Sequence, residues 1–264
     1  MQIVLLAGLP RSGSTLLCGL LSQNPKIKVQ EASTLLPLLN NIREFWANAP
    51  RNKVVKNQDK LIPILKSVCY SYHDSEYALT VDKHREWLFY LDLINKIFGH
   101  PVKVLCTVRH PLECAASFER LFINEPETFT QLEEITSSQS FTTINRARSM
   151  LAPDGSIGKA YEAIKDAAMI QKKKDQILFI DYHKLCISPN KQLDRIYNFL
   201  EIDNCNDHNF NNIKNSTEQN DFFYRMYSNT HSIESKIREG KRDLGRLNLL
   251  SNNFNFEEFW NDWT

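Results

Sequence analysis

The sequence lacks several features that would assign it to a class of protein at once. It has no apolar run of 18 residues, which is about the length that a membrane-spanning helix needs, so we expect no transmembrane segment. It has no excess of charge of either sign, because 32 basic residues are balanced by 31 acidic ones. This balance argues against a broad nucleic-acid or membrane footprint. A chain of 264 residues without repeats is expected to form one domain, over residues 1–264, with a large buried core.

The sequence also lacks a CxxC pair, so its six cysteines suggest neither a metal site nor a redox motif. Most of them lie in apolar segments, at Cys18, Cys69, Cys106, Cys114, Cys186 and Cys205. We interpret them as buried, reduced thiols of a cytoplasmic protein, and we expect no bound metal. The first residues, MQIVLLAGLPRSG, have no basic segment ahead of the apolar run, which argues against a signal peptide.

Short apolar runs alternate with helical patterns along the chain. Strands are predicted at 2–7, 27–30, 77–81, 102–108 and 177–181, and helices at about 13–23, 35–49, 56–72, 86–98, 111–123, 157–174 and 189–200. The stretch 124–156 has little periodicity and is expected to be irregular and partly helical. The alternation predicts an α/β fold of three layers, with a central parallel sheet flanked by helices. Ligands of such sheets bind at the carboxyl ends of the strands.

A glycine-rich turn, GLPRSGSTLL, follows the first strand at residues 8–17. It has the glycine spacing and the Thr15 of a P-loop, but Ser14 stands where that motif has lysine. Backbone N–H groups at such a turn bind anions, and Arg11 restores the positive charge with a planar set of donors. The fold is therefore predicted to be P-loop-like, with phosphate bound by Arg11, Ser12, Gly13, Ser14 and Thr15. A plain strand–turn–helix connection and a degenerate nucleoside-triphosphate site are the alternatives.

A second motif, VRHPLECAASFERL, begins at the end of the strongest predicted strand. Arg109 ends that strand, and Ser117 lies eight residues further on, about two turns into the next helix. An arginine at a strand end and a hydroxyl on the following helix can converge on a second anion. Either residue alone is a weak signal, but the combination with the first loop is specific.

The two motifs resemble the cofactor-binding motifs of the sulfotransferases that use 3′-phosphoadenosine 5′-phosphosulfate (PAPS). The resemblance covers roughly residues 2–202 and is nearer to the bacterial and tyrosylprotein branch than to the cytosolic small-molecule branch. It implies that the first loop holds the 5′-phosphosulfate and that Arg109 and Ser117 hold the 3′-phosphate. PAPS would be the donor, 3′,5′-adenosine bisphosphate (PAP) the product, and no metal would be required.

The resemblance also indicates which residues would carry the chemistry. Lys83, after the third predicted strand, matches a lysine that contacts the transferring sulfuryl group, and Glu31 lies where that branch has a catalytic glutamate. Asp82 and His84 flank Lys83 and remain rival bases. Tyr182, after the last strand, lies where the family often has an aromatic hydroxyl near the adenine. The basic segment 235–247 is a candidate to cover the 3′-phosphate, with a solvated basic helix as an equal alternative.

Two other functions stay open from the sequence. A nucleotide or metabolite kinase would need magnesium and a lysine from elsewhere, and a non-catalytic nucleotide-binding module would lack an acceptor site. For a sulfotransferase, the acceptor is expected to be a carbohydrate, phenol, peptide or other small molecule with a hydroxyl or amine. We expect neither a nucleic-acid nor a membrane partner, and a monomer or a homodimer.

Overall fold

The computed structural model describes the chain apart from residues 1, 51–57, 74–75, 129, 131–141, 171–172, 174, 206, 216–220, 222–225, 229, 238–242 and 264. Five strands form one sheet, namely β1 (Gln2–Gly8), β2 (Ile27–Gln30), β3 (Leu79–Lys83), β4 (Val104–Val108) and β5 (Ile177–Asp181). The strand order is β2-β3-β1-β4-β5, and every pair is parallel. The predicted central parallel sheet is therefore confirmed.

Helices connect the strands and cover the sheet. They are α1 (Ser14–Leu21), α2 (Leu35–Asn48), α3 (Gln58–Tyr72), α4 (Leu91–Phe98), α5 (Pro111–Asn124), α6 (Thr143–Leu151), α7 (Gly158–Lys165), α8 (Tyr182–Ile187) and α9 (Pro189–Leu200). Short 3-10 helices lie at Arg85–Tyr90, Gly245–Asn253 and Phe259–Trp263. None of the helices in the described ranges is long and apolar enough to cross a membrane.

The sheet separates two hydrophobic clusters. Successive residues of β1 point to opposite faces, so Leu5 joins one cluster and Leu6 joins the other. The larger cluster lies under α2–α7, and the smaller one under α1, α8 and α9. Both faces of a parallel sheet must be covered in this way, which is why its strands are almost entirely apolar. This is the three-layer α/β architecture predicted from the sequence.

The structure differs from the predicted elements in a few places. β3 begins and ends two residues later than predicted, because polar Asp82 and Lys83 continue the strand beyond the apolar run. The predicted helix 86–98 begins as a 3-10 helix and becomes α4 only at Leu91. Helix α8, directly after β5, was not predicted. The irregular stretch 124–156 contains α6, and much of the rest of it lies outside the described residues.

The cysteines agree with the sequence-based interpretation in most respects. All six are free thiols in the structure, and five of them are buried. Cys205 is partly exposed.

Candidate functional site

The glycine-rich loop lies at the centre of the carboxyl edge of the sheet. β1 ends between β3 and β4, with Leu6 level with Lys83 and Gly8 level with Thr107. The residues that follow the three strands therefore converge. Strand order reverses at β1, and the crevice at such a point is where open α/β sheets bind their ligands.

The loop backbone has the left-handed conformations that an anion-binding turn needs. Gly8 has φ +139° and Gly13 has φ +89°, which glycine adopts without strain. A side chain at residue 8 would put its Cβ 2.2 Å from the carbonyl oxygen of Thr107. Gly13 caps α1, and this cap residue has no side chain to accept a hydrogen bond from the first amides of the helix. Those N–H groups are available to an anion.

Ser12 supports the loop from beneath. It is fully buried, and its hydroxyl lies 2.6 Å from the carbonyl oxygen of Leu9 and 2.7 Å from the hydroxyl of Thr107. These contacts bind the loop to the end of β4. The Ser12 side chain therefore shapes the loop, and any contact of this residue with an anion would come from its backbone.

Arg11 lies across the top of the loop and contacts two distant parts of the chain. Its Nε donates to the hydroxyl of Ser117 over 3.1 Å, and its Nη1 donates to the carbonyl oxygen of Thr230. Arg11 is the one non-glycine residue of the loop with positive φ, at +64°. Burial lowers the pKa of its guanidinium, and the nearby charge of Arg109 lowers it further. The two predicted anion-binding motifs thus meet through Arg11.

Arg109 is buried beside the loop, with 7% of its surface exposed. Its guanidinium lies 4.3 Å from the ring centroid of Tyr182, and its Nη2 lies 3.4 Å from Oε1 of Glu113. Its Nε is buried without a hydrogen-bond partner among the described residues. Glu113 is held from the other side by His183, 3.0 Å away. Arg109 is therefore fixed in orientation while part of its donor set is unused.

Tyr182 links the two arginine motifs. A Cβ at Gly13 would come within 2.7 Å of the Tyr182 ring, so the absence of a side chain at residue 13 lets the ring approach the loop. The Tyr182 ring also contacts the guanidinium of Arg109. The predicted proximity of Tyr182 to an adenine stays a prediction.

Lys83 reaches the start of α1. Its Nζ donates to Oγ1 of Thr15 over 3.1 Å. The buried thiol of Cys18 lies one turn further along α1 and forms a side-chain hydrogen bond with Glu31. Burial raises the pKa of this thiol to about 12, so it stays protonated. The charge of Lys83 lowers the pKa of this thiol, and the charge of Glu31 raises it. The structure therefore brings Lys83, Glu31 and the loop into one neighbourhood, as the sequence predicts.

A comparison with known protein families identifies the family of this chain. The sequence profile described as the sulfotransferase family matches residues 4–207. The chain belongs to the sulfotransferase family. The matched residues include β2 to β5, most of β1, and the five residues Arg11, Glu31, Lys83, Arg109 and Ser117.

Individual relatives are distant from this member of the sulfotransferase family. Protein-tyrosine sulfotransferase 1 of Danio rerio is 23% identical over 210 residues, which are 76% of this chain and 54% of that protein. The chain thus spans about half the length of the curated relative that it matches. Two solved structures share the fold. The sulfotransferase domain from the curacin biosynthetic pathway has a TM-score of 0.51 and 16% identity, over 90% of this chain and 87% of the other. The sulfotransferase domain from the Synechococcus PCC 7002 olefin synthase has a TM-score of 0.50 and 20% identity, over 97% and 95%.

The two rival bases of this sulfotransferase-family site have other partners. Asp82 is fully buried and accepts from Ser33 over 2.6 Å and from Trp87 over 2.9 Å, so both of its oxygens are used. His84 accepts with Nδ1 from the backbone N–H of Glu86 over 3.2 Å. A neutral histidine with that bond carries its proton on Nε2 and has no second lone pair to offer. Glu31 thus remains the better candidate base.

Sequence reasoning missed a histidine at the site. His231 follows Thr230, whose carbonyl oxygen accepts a hydrogen bond from Arg11; burial lowers the pKa of the His231 ring, and the charges of Lys83 and Arg11 lower it further. Its Nδ1 is bonded to the carboxylate of Asp221. Neither residue stands in a recognisable motif, so the sequence carries no signal for this pair.

The predicted role of the basic segment 235–247 gains no support from the described residues. Residues 238–242 lie outside them, and the side chains of Lys236 and Arg246 are exposed. The part of the tail that contacts the loop is instead Thr230, through Arg11.

The part of the chain that the structure describes contains no set of side chains placed to bind a metal ion. No group of three or more His, Cys, Asp or Glu side chains is placed there to hold a metal ion. The expectation that the reaction needs no metal stays a prediction.

Proposed function

We propose that the chain transfers a sulfuryl group from PAPS to a hydroxyl or amine acceptor. One observation carries this proposal: Arg11 and Arg109 are both held at the glycine-rich loop, close enough for one charge to disfavour the other. Two cations buried together are unfavourable, and since Glu113 offsets only the charge of Arg109, a further anion would stabilise the pair. The unpartnered Nε of Arg109, the uncapped amides of α1 and the Ser117 hydroxyl form a donor set that suits a nucleotide with two anionic groups.

The residues divide between the two ends of such a nucleotide. Arg11 and the backbone N–H groups from Gly13 to Thr15 would bind the 5′ end, where helix N-termini favour negative charge. Arg109, with Ser117, would bind the 3′-phosphate. The stacking of Arg109 on Tyr182 fixes the plane of the guanidinium, which is what bidentate recognition of a phosphate needs.

The catalytic roles fall to Lys83 and Glu31. When bound, the donor supplies a sulfuryl group on a phosphate leaving group. Lys83 would donate a hydrogen bond where negative charge develops as the sulfur–oxygen bond breaks, and this interaction strengthens in the transition state. Glu31, buried to 97% and beside the same helix, would orient the acceptor and take its proton.

The acceptor is proposed only as a class. The matched relative from Danio rerio is named for protein tyrosine, which is a phenol on a peptide. A carbohydrate, phenol, peptide or small molecule remains the proposed range. Helix α2 presents the exposed side chains of Leu38 and Phe45, and we propose that the segment from α2 to α3 forms one wall of the acceptor cleft.

Calorimetric titration with PAP and with ATP, with and without magnesium, tests the donor site. PAP is expected to bind without magnesium and more tightly than ATP. Magnesium-dependent ATP binding with no PAP binding would instead support a kinase. A second assay follows PAP release from PAPS with a panel of tyrosine peptides, phenols and sugars. PAP binding without release on any acceptor would support a non-catalytic nucleotide-binding module.

A further inference from the structure

Thr230, in the tail of the chain, contacts the glycine-rich loop although it lies outside the residues matched by the family profile, 4–207. Arg11 donates to the carbonyl oxygen of Thr230, the residue before His231. Asn215 donates to the carbonyl oxygen of His231 over 3.0 Å. These bonds fix the backbone of His231 one residue away from the contact with Arg11.

The side chain of His231 is oriented by Asp221. One carboxylate oxygen of Asp221 is bonded to Nδ1 of the ring, and the other accepts from the backbone N–H of His231 over 3.2 Å. A carboxylate only accepts, so the neutral ring carries its proton on Nδ1 and leaves Nε2 as an acceptor. Both groups are largely buried, with 29% of the His231 side chain and 11% of the Asp221 side chain exposed.

The charges around His231 are those of an anion site. Burial lowers the pKa of the ring, the hydrogen bond that the ring donates to Asp221 opposes this, and the charges of Lys83 and Arg11 lower the pKa further. Asp221 is hydrogen-bonded to the ring, Arg11 is bonded to the preceding residue Thr230, and Lys83 of β3 acts on the ring through its charge. Without an anion, burial first and the two cations second favour the neutral imidazole.

We propose that His231, held by Asp221, is a donor-binding residue that takes up one proton when the phosphosulfate end of the nucleotide binds. This inference rests on the proposed function and deepens it. The bound anion offsets the charges of Lys83 and Arg11, so a proton from solvent binds at Nε2. The ring then carries a donor on each nitrogen, one directed to Asp221 and the other available to the anion. No covalent bond forms or breaks in this step.

Calorimetry of PAP binding tests the proposal, with each pH measured in two buffers that have different ionisation enthalpies. The phosphates of PAP titrate themselves, so His231→Gln serves as the baseline. His100→Gln serves as the matched control, because His100 lies at the opposite edge of the sheet beside the start of β1 and β4. For a rise of about one pKa unit on binding, we expect wild type and His100→Gln to take up at most about 0.5 proton more than His231→Gln, at a pH midway between the free and bound pKa values of the ring. The same rise predicts that the affinity of wild type relative to His231→Gln increases as the pH falls, approaches a gain of roughly tenfold below both pKa values, and shows little gain at pH 8.5.

Equal proton uptake by wild type and His231→Gln would overturn the proposal. Absence of PAP binding by wild type would instead overturn the proposed function, so the two failures are distinguishable. If His231→Gln does not fold, Asp221→Asn provides the second variant. Removal of that carboxylate lowers the pKa of the ring, so the maximum of proton uptake is expected at lower pH than in wild type. An unchanged maximum in Asp221→Asn would equally refute the assignment.

Discussion

Replacement of Arg109 by glutamine should remove the preference for a nucleotide with a 3′-phosphate. Arg109 is buried, its guanidinium lies 4.3 Å from the ring centroid of Tyr182, and it pairs with Glu113. These contacts hold the guanidinium in one orientation, with its Nε unused among the described residues. Loss of one partner from a desolvated charge pair costs about 2–4 kcal/mol. At about 1.4 kcal/mol per tenfold change, PAP should therefore bind roughly 30- to 1000-fold more weakly to Arg109→Gln.

The comparison ligand is 5′-AMP, which lacks the 3′-phosphate. The affinity of Arg109→Gln for 5′-AMP should differ little from that of wild type, because the amides of α1 and Arg11 remain. The dissociation constant of 5′-AMP divided by that of PAP should therefore fall towards one. Arg109→Lys should recover only part of the ratio, since an ammonium group neither stacks on Tyr182 as a plane nor binds an oxyanion with two donors. Calorimetry at fixed ionic strength measures both constants.

The control is Lys103→Gln, which removes one positive charge at the opposite edge of the sheet. Lys103 pairs over 2.7 Å with Glu201, a largely exposed partner, and such surface pairs contribute little. It should leave the ratio unchanged. If Arg109→Gln folds and still prefers PAP over 5′-AMP as strongly as wild type does, the assignment of the 3′-phosphate to Arg109 is wrong.

Three further predictions follow from the same site. Glu31→Gln should lower kcat by roughly 100-fold or more and leave PAP affinity nearly unchanged, because an amide cannot take the acceptor proton; near-normal turnover would exclude Glu31 as the base. Lys83→Ala should lower kcat by a similar factor of about 100, since its interaction is strongest in the transition state, and a change confined to KM would contradict that role. The third prediction concerns the effect of Asp82 on stability. Burial raises the pKa of its carboxyl group to about 7. Between about pH 4 and 7 the folded protein therefore keeps a proton that the unfolded chain has lost. The free energy of unfolding should therefore fall with rising pH in that window, by at most about 1.4 kcal/mol per pH unit, and level off above it. Thermal unfolding of wild type and Asp82→Asn from pH 5 to 8 measures this, and an equal pH dependence of the two proteins would refute it.

Much of the fold could be predicted because its signals are local. The apolar runs of β1, β4 and β5 and the glycine spacing of residues 8–13 each lie within a few neighbours on the chain. The boundary of β3 was wrong for the converse reason. Asp82 extends the strand because Ser33 and Trp87 satisfy its carboxylate, and a run of apolar letters cannot show those bonds.

The sequence predicted which residues form the candidate site, but it did not predict the hydrogen bonds among them. Joint binding of an anion by Arg109 and Ser117 stays a prediction, and the sequence did not show that the Ser117 hydroxyl accepts a hydrogen bond from Arg11. Ser12 was expected to bind the anion, but its side chain is bonded to the end of β4. The choice among Glu31, Asp82 and His84 as the base stays a prediction, and the sequence did not show the hydrogen-bond partners of Asp82 and His84.

The sequence by itself determined the parallel sheet, the anion-binding loop without its lysine and the pair of arginines that follow β1 and β4. Only the tertiary structure decided which groups face one another there, and that His231 joins them. The physical reason is separation along the chain. The bonds from Arg11 to Ser117 and Thr230 join residues 106 and 219 positions apart, so they depend on how both faces of the sheet and the tail pack. Periodicity and turn chemistry act over a few residues and carry no information about such contacts.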